Sequence, residues 1–347
     1  MLYWLLKHII QLGLHCYHRK IRVYGLENIP TDKPVLFLPN HQNALIDVLL
    51  IAVDCNRKPY FLARSDVFGG SMLDTLFKYV RMIPIYRIRD GRSTLYKNDA
   101  VFDNCAKVLG KGEAIVMFPE GNHSLRRRVR PLSKGFTRVL FRAAELSPQV
   151  DIQMIPVGVN YSNAEKFPSS AAVYYGTPIS FQTLYDKEDL PGSVVRIRKM
   201  VAVSLKTLTT HISSEEDYAE NVNYLVSQNV DFLDPVRSNG LLKEKAASTN
   251  PVKDKSPKVN SGVSIFKIIF SVLNLPVILV WRLLIKPKVP EPEFMGTFRF
   301  AAMFGGFFVY SSLLFIVVFI TMDFWWATGI LCLLWAFNMC YVKYLAI

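Results

Sequence analysis

The sequence predicts an α/β protein, a mostly parallel sheet flanked by helices, with an N-terminal interfacial helix and C-terminal transmembrane helices. Three observations predict it. Between residues 26 and 235 short apolar runs (VLFLP, PYFLAR, MIPIY, AIVMFPE, QMIPVGVNY, AAVYYG) alternate with helical patterns, the order that builds a parallel sheet. Near the C-terminus the stretches 300–320 and 324–342 are each long enough to cross a ~30 Å hydrocarbon core. Composition points the same way, since 51% of the residues are hydrophobic and the mean hydropathy is +0.21, high for a water-soluble enzyme.

The elements divide into four regions. Residues 1–25 open with MLYWLLKHIIQLGLHCYH, apolar but broken by Lys7, His8 and Gln11 and without a signal-peptide cleavage site, which reads as a helix lying on the membrane. Residues 26–235 are the α/β body. Residues 236–262, rich in Lys, Ser, Asn, Pro and Gly, read as a flexible linker with too little apolar surface to fold alone. Residues 263–347 read as a membrane anchor: a two-helix hairpin turning at Thr321, Met322 and Asp323, preceded by a stretch at 264–281. That stretch holds Lys267, Asn274 and Pro276, so it reads as kinked, re-entrant or interfacial, with a third full span as the alternative. Arg299 and Lys343 flank the hairpin, which places both of its ends, and the α/β body with them, on the cytoplasmic face.

Charge bounds the partners. Lys and Arg exceed Asp and Glu by 41 to 28, a formal net charge of +13, which suits lipid headgroups, a phosphorylated substrate or nucleic acid. The basic residues form no nucleic-acid reading motif and the apolar spans argue against that partner, so membrane lipids and phosphorylated small molecules remain. The five cysteines form no C-x-x-C, so neither a disulfide framework nor a zinc site is indicated, and a reducing compartment fits best.

The chemistry sits at strand ends. NHQNALID (40–47) places His41 directly behind the run VLFLP, where open α/β sheets bind ligands, and Asp47 is the nearest carboxylate able to orient it. Arg87 ends MIPIYR, Glu120 and Gly121 follow AIVMFP, and Pro156 lies in IPVGVN; strands converging on one edge would gather these into one cleft.

In this order the blocks NHQNALID, IPIYR, FPEG and IPVG resemble the motifs of the glycerolipid acyltransferase family, the 1-acyl-sn-glycerol-3-phosphate and glycerol-3-phosphate acyltransferases, over roughly residues 26–215. The resemblance implies an acyl transfer from an acyl thioester, on coenzyme A or acyl carrier protein, to the hydroxyl of a phosphorylated glycerol acceptor, with no cofactor and no metal. It implies His41 as general base, Asp47 as its orienting partner, Arg87, Glu120 and Gly121 on the phosphorylated acceptor, and Pro156 on the acyl side. Lysophosphatidate is the first-choice acceptor and glycerol-3-phosphate the alternative.

This chain departs from the common pattern twice. Five residues separate His41 from Asp47 where family members commonly have four, so on a regular helix the two would sit about 120° apart, and His41 must precede the helix. After FPEG stand Asn122 and His123 instead of threonine and arginine. The run RRRVR, with Arg126, Arg127 and Arg128, is the candidate replacement for the missing phosphate ligand. Both variations recur among glycerol-3-phosphate-type members of the broader family.

These residue types suit the chemistry. A hydroxyl attacks a thioester only as it loses its proton, and a neutral imidazole that takes it contributes ~10²–10⁴ in rate. No G-x-S-x-G elbow is present to supply a covalent intermediate. Each residue has a plainer reading: His41 as a loop hydrogen-bonder, Glu120 as a helix cap, Arg87 and the RRRVR run as solvated cations. A membrane lipid-binding scaffold that does no chemistry would keep the anchor and the charge without pairing His41 and Asp47. The anchor itself is expected to hold the enzyme at its lipid, so that a chain cut after residue 262 loses stable membrane attachment yet keeps measurable transfer activity from a detergent-solubilised mixture.

Overall fold

Parallel strands surrounded by helices form the body, as the periodicity predicts. The computed structural model describes residues 2–86, 96–247 and 264–346. In chain order the elements are α1 (Leu2–Tyr17), β1 (Ile21–Tyr24), β2 (Val35–Pro39), α2 (Ala44–Asp54), β3 (Tyr60–Arg64), α3 (Ser71–Tyr79), β4 (Met82–Ile85), α4 (Lys97–Gly110) and β5 (Ala114–Val116). There follow α5 (Gly135–Leu146), β6 (Gln153–Tyr161), β7 (Ala171–Tyr175), β8 (Ile179–Ser180), α6 (Leu190–Leu208), α7 (Tyr218–Ser227) and α8 (Pro235–Ala247). The last elements are α9 (Ile265–Leu273), α10 (Leu275–Leu279), α11 (Met295–Thr321) and α12 (Phe324–Cys340).

The sheet order is β1-β7-β6-β2-β5-β3-β4, with β8 also pairing β6. β6, β2, β5, β3 and β4 run parallel, while β7 and β8 are antiparallel to β6. β2 lies centrally with every residue buried, which is why VLFLP is a continuous apolar run. Its alternate side chains feed two cores. Leu36 and Leu38 pack with Phe102, Leu109, Phe136, Leu140 and Val201 of α4, α5 and α6 on one face. Val35 and Phe37 pack with Leu14 of α1, Ile46 and Leu50 of α2, and Phe300 of α11 on the other. Pro156 sits inside β6 opposite Leu38, at the point where the other edge of β6 changes partner from β8 to β7, so its missing N–H costs no ladder bond.

Two expectations change. IRVY, too short and too polar for its apolar period to register, forms β1 alongside β7. The stretch read as the start of a linker at 236 is helical to Ala247. Polar contacts hold α8: Asn239 donates to Lys206 O at 2.9 Å and Thr209 O at 3.0 Å, and Lys245 Nζ meets Glu220 at 2.7 Å. A helix docked by side-chain amides and ion pairs leaves no apolar stripe to read. The rest of that stretch, 248–262, lies outside the described residues.

At the C-terminal end, Pro292–Thr321 and Phe324–Leu345 are long and apolar enough to cross a membrane. Asp323 caps α12 by accepting from Trp326 N at 2.9 Å. The earlier apolar stretch bends by 87° between α9 and the helix that follows, at the Asn274–Pro276 break.

Candidate active site

β2 ends at Pro39, and the loop it delivers is fixed from both sides. Asn40 pairs with β6 through its amide, donating to Val159 O at 3.1 Å and accepting from Val159 N at 2.7 Å. His41 O accepts from Ser124 N at 2.9 Å, which ties this loop to the one after β5. His41 thus lies ahead of α2, not on it, and Asp47 in the first turn of α2 reaches back to it.

Asp47 is wholly buried and fully hydrogen-bonded. Its Oδ2 accepts from His41 Nδ1, Gln42 N and Asn43 N, each at 2.8 Å, and its Oδ1 accepts from Tyr161 OH at 2.6 Å. Such a carboxylate is aimed by its surroundings, its oxygens all supplied with donors as burial demands. With Nδ1–H given to Asp47, the imidazole keeps a lone pair on Nε2. Tyr161 comes to this place by strand alternation: Ile155, Val157, Val159 and Tyr161 all face α2. Burial and the adjacent Asp47 raise the Tyr161 hydroxyl well above its ordinary value, so it stays a donor.

The loop after β5 supplies the next wall. Phe118 stacks on the His41 ring with centroids 3.9 Å apart. Gly121, at φ +70°, makes the turn that sends the chain back, its N–H on Phe118 O at 3.2 Å; a side chain there would be strained. Glu120 is buried and paired with Arg130, Nε at 3.0 Å and the terminal nitrogen at 2.8 Å, while Arg130 N donates to Glu120 Oε1. Burial raises the Glu120 carboxyl above the usual range, with the Arg130 guanidinium pulling in the opposite direction. Glu120 is therefore engaged by Arg130, the last arginine of the RRRVR run, a pairing the sequence did not single out.

The RRRVR run does not gather at His41. Arg126 and Arg128 both pair with Glu215, and Arg127 donates to Tyr161 O at 2.9 Å and Ser162 O at 3.0 Å with its guanidinium 3.8 Å from the Phe232 ring centre. Glu215, 89 residues after Arg126 and 87 after Arg128, takes two of the run's four arginines, a pairing invisible to local reading. Arg87 lies outside the described residues; β4, which precedes it in the chain, is separated from β5 by β3. Pro156 is a buried sheet residue next to β2.

The C-terminal segment completes the site. Glu291 accepts from or shares a proton with His123 Nε2 at 2.8 Å, and the His123 ring stands edge-on to His41 with centroids 5.6 Å apart. Phe294 covers His123 at 4.8 Å. Burial holds His123 below its ordinary pKa, and the Glu291 carboxylate opposes that shift. His123, Glu291 and Glu293 each bring one ligand atom within 4.8 Å of the others, a set that could hold a cation. Leu45 N donates to Thr297 Oγ1 at 3.1 Å, and Gly296 packs so closely on Asn43 that a Cβ there would lie 2.6 Å from its amide. One turn further along α11, Phe300 lines a cavity of about 900 Å³ bounded by α1, α9, α10, α11 and α12 and walled mainly by apolar side chains such as Leu12, Phe167, Phe304 and Trp335.

Residues 20–160 match the family model described as Acyltransferase. The chain is 28% identical over 165 residues (46% of this chain, 20% of that protein) to Glycerol-3-phosphate O-acyltransferase 1 of Saccharomyces cerevisiae. It is 25% identical over 139 residues (40% and 36%) to the chloroplastic 1-acyl-sn-glycerol-3-phosphate acyltransferase BAT2 of Brassica napus. An uncharacterized acyltransferase of Schizosaccharomyces pombe is 32% identical over 85 residues (24% and 13%). The alignments thus span between 13% and 36% of the length of these relatives. The solved 1-acyl-sn-glycerophosphate acyltransferase PlsC of Thermotoga maritima superimposes with a TM-score of 0.41 at 20% identity, over 58% of this chain and 79% of that one.

Proposed function

We propose, on the match of residues 20–160 to the Acyltransferase family model, that this chain is a glycerolipid acyltransferase and moves a fatty acyl group from an acyl thioester to the hydroxyl of a phosphorylated glycerol at a membrane surface. The observation that carries the reading is the His41–Asp47 pair at 2.8 Å, with Asp47 wholly buried and saturated by donors. A scaffold would have no use for it. In our reading His41 Nε2 takes the proton of the acceptor hydroxyl as its oxygen attacks the thioester carbonyl. Asp47 holds the tautomer and steadies the imidazolium that forms. The proton passes on to the departing thiolate, so one C–O bond replaces one C–S bond with no net charge change. The donor is a coenzyme A or acyl carrier protein thioester, and the chemistry as proposed draws on no cofactor.

Lysophosphatidate giving phosphatidate, a step of phospholipid synthesis, is the acceptor we favour. The apolar cavity begins one helical turn along α11 from Gly296 at the His41 loop, so an amphiphile could keep its chain among the membrane helices while its hydroxyl meets the base. Glycerol-3-phosphate is the second reading, supported by Asn122 and His123 after FPEG and by the name of the yeast relative. The catalytic domain would lie on the cytoplasmic face, consistent with Arg299 and Lys343 at the hairpin ends. Full-length protein in lipid nanodiscs, offered labelled acyl-coenzyme A and acyl-carrier protein against both acceptors, tests this. Transfer to neither acceptor from either donor would overturn the reading.

A further inference from the structure

A second cavity, about 380 Å³, lies between the segment 128–132 and α6, on the face of the sheet away from the membrane helices. Arg128, Arg130, Arg198, Lys199 and Lys206 line it together with His211 and Ser213. Arg198, Ala202 and Lys206 recur every fourth residue, so α6 presents them as one row beside its buried stripe of Ile197, Val201 and Leu205. Two carboxylates approach these cations: Glu215 on Arg128 and Glu120 on Arg130. Among the described residues no acid pairs with Arg198, Lys199 or Lys206. Among the described residues the Nε of Arg198 is buried without a partner, and its guanidinium donates only to Leu132 O. His211 accepts from Val129 N at 3.0 Å and is pushed down to about 4 by burial and then by Lys206 and Arg128.

We infer that this cavity is a binding site for the phosphate groups of a soluble phosphomonoester or diphosphate. A concave site with unneutralised cations and an orphaned guanidinium N–H is a cost to the fold unless an acceptor-only anion fills it. A phosphate offers oxygens to Arg198 and Lys206 together, in the charge-assisted geometry guanidinium favours. A bilayer headgroup is the poorer fit, because α1, α11 and the apolar cavity pack against the opposite face. Arg130 belongs to both places, lining the cavity and pairing with Glu120, so an occupant here adjoins the loop that carries Phe118 onto His41. If the donor is a coenzyme A thioester, its nucleotide phosphates are a ligand of this class; that identification alone rests on the acyl-transfer reading.

Binding without turnover tests the site. Full-length protein in detergent is titrated calorimetrically with pyrophosphate, adenosine 3′,5′-bisphosphate and inorganic phosphate, and in a parallel arm with vesicles of phosphatidylcholine alone or with phosphatidate. The expected result is saturable binding of at least one soluble phosphate, weakened roughly tenfold by Lys206→Gln and by Arg198→Gln and unchanged by His41→Ala. Lys206 is exposed, so its variant keeps the fold even where Arg198→Gln does not. No binding by any soluble phosphate, binding that both variants leave intact, or Lys206-dependent binding confined to phosphatidate vesicles would overturn the proposal. Loss of turnover in the acyl-transfer assay with this binding retained would count against the enzyme reading only.

Discussion

Tyr161 gives its hydroxyl to Asp47 at 2.6 Å across 114 residues of sequence, joining the end of β6 to the first turn of α2. Asp47 thereby has a donor on each oxygen, and the aim of His41 depends on both. Tyr161→Phe leaves Oδ1 of a buried carboxylate short of a partner. A stability loss of about 1–3 kcal/mol is expected, with kcat falling by roughly tenfold and the acceptor KM little changed. Chemical denaturation beside steady-state kinetics checks it; an unchanged kcat would show that the hydroxyl only fills space.

Removing the proposed base, His41, is expected to cost more. His41→Ala should lower kcat by ~10²–10⁴, and Asp47→Asn by a similar order, with membrane association retained. Near-wild-type turnover by purified His41→Ala protein would end the assignment.

Glu120 and Arg130 should behave as one unit. Arg130→Met strands a buried carboxylate, and a loss of about 3–5 kcal/mol is expected. Pairing it with Glu120→Gln should recover most of that stability. Activity that returns with stability in the double variant marks the pair as support for the loop; activity that stays lost marks one partner as a substrate contact. A denaturation series on the three variants, read against their turnover, separates these.

The expectation that a chain cut after residue 262 keeps transfer activity does not fit the packing. Glu291, Phe294, Gly296 and Thr297 meet the loop after β5 and the His41–Leu45 segment, and Phe300 enters the core. Truncated protein should be inactive in every presentation of substrate. A subtler variant, Gly296→Val, should disable the full chain by displacing Asn43 while hydropathy and membrane insertion stay as they were.

Acid should unfold the protein through its buried histidines. His18 is fully buried, and burial pushes it from an ordinary 6.5 down to about 4. The folded-state pKa lies below the unfolded one, so as pH falls below 6.5 the unfolded chain takes the proton first. Stability is fully present above that value and is lost between 6.5 and 4, by up to about 3 kcal/mol for His18. His211, also near 4 but half exposed, adds a smaller share in the same direction. Thermal melts from pH 7.5 to 4.5 should show the decline, and His18→Asn should flatten it; an equally steep decline in that variant would assign it elsewhere.

Much of the body was legible because its signals are local. Period-two and period-3.6 apolar patterns give β2 to β7 and most helices, and the spacing of His41 and Asp47 forces the histidine off the helix. What escaped is long-range. Tyr161, Arg130, Glu291 and Phe294 matter through partners 10 to 171 residues away. Tyr161 alone left a trace, as the last residue of a strand whose alternate positions face α2. The RRRVR run misled for the same reason: Glu215, which binds two of its arginines, carries no mark in the sequence.

Lys343, at the far end of the hairpin, donates to His15 O at 2.6 Å and His18 O at 2.9 Å, while Thr297, at the near end, holds Leu45. A cation at the carboxyl end of α1 also answers that helix's dipole. The hairpin is therefore bolted to the α/β body at both ends, which opposes any lift or swivel of that body on a tether. Where the hairpin spans a bilayer, the height of His41 above its plane becomes a fixed length of the molecule. On the acyl transfer proposed above, such an enzyme does not bend toward its lipid; the lipid must rise, by about the same distance each time, to a base that waits at constant depth.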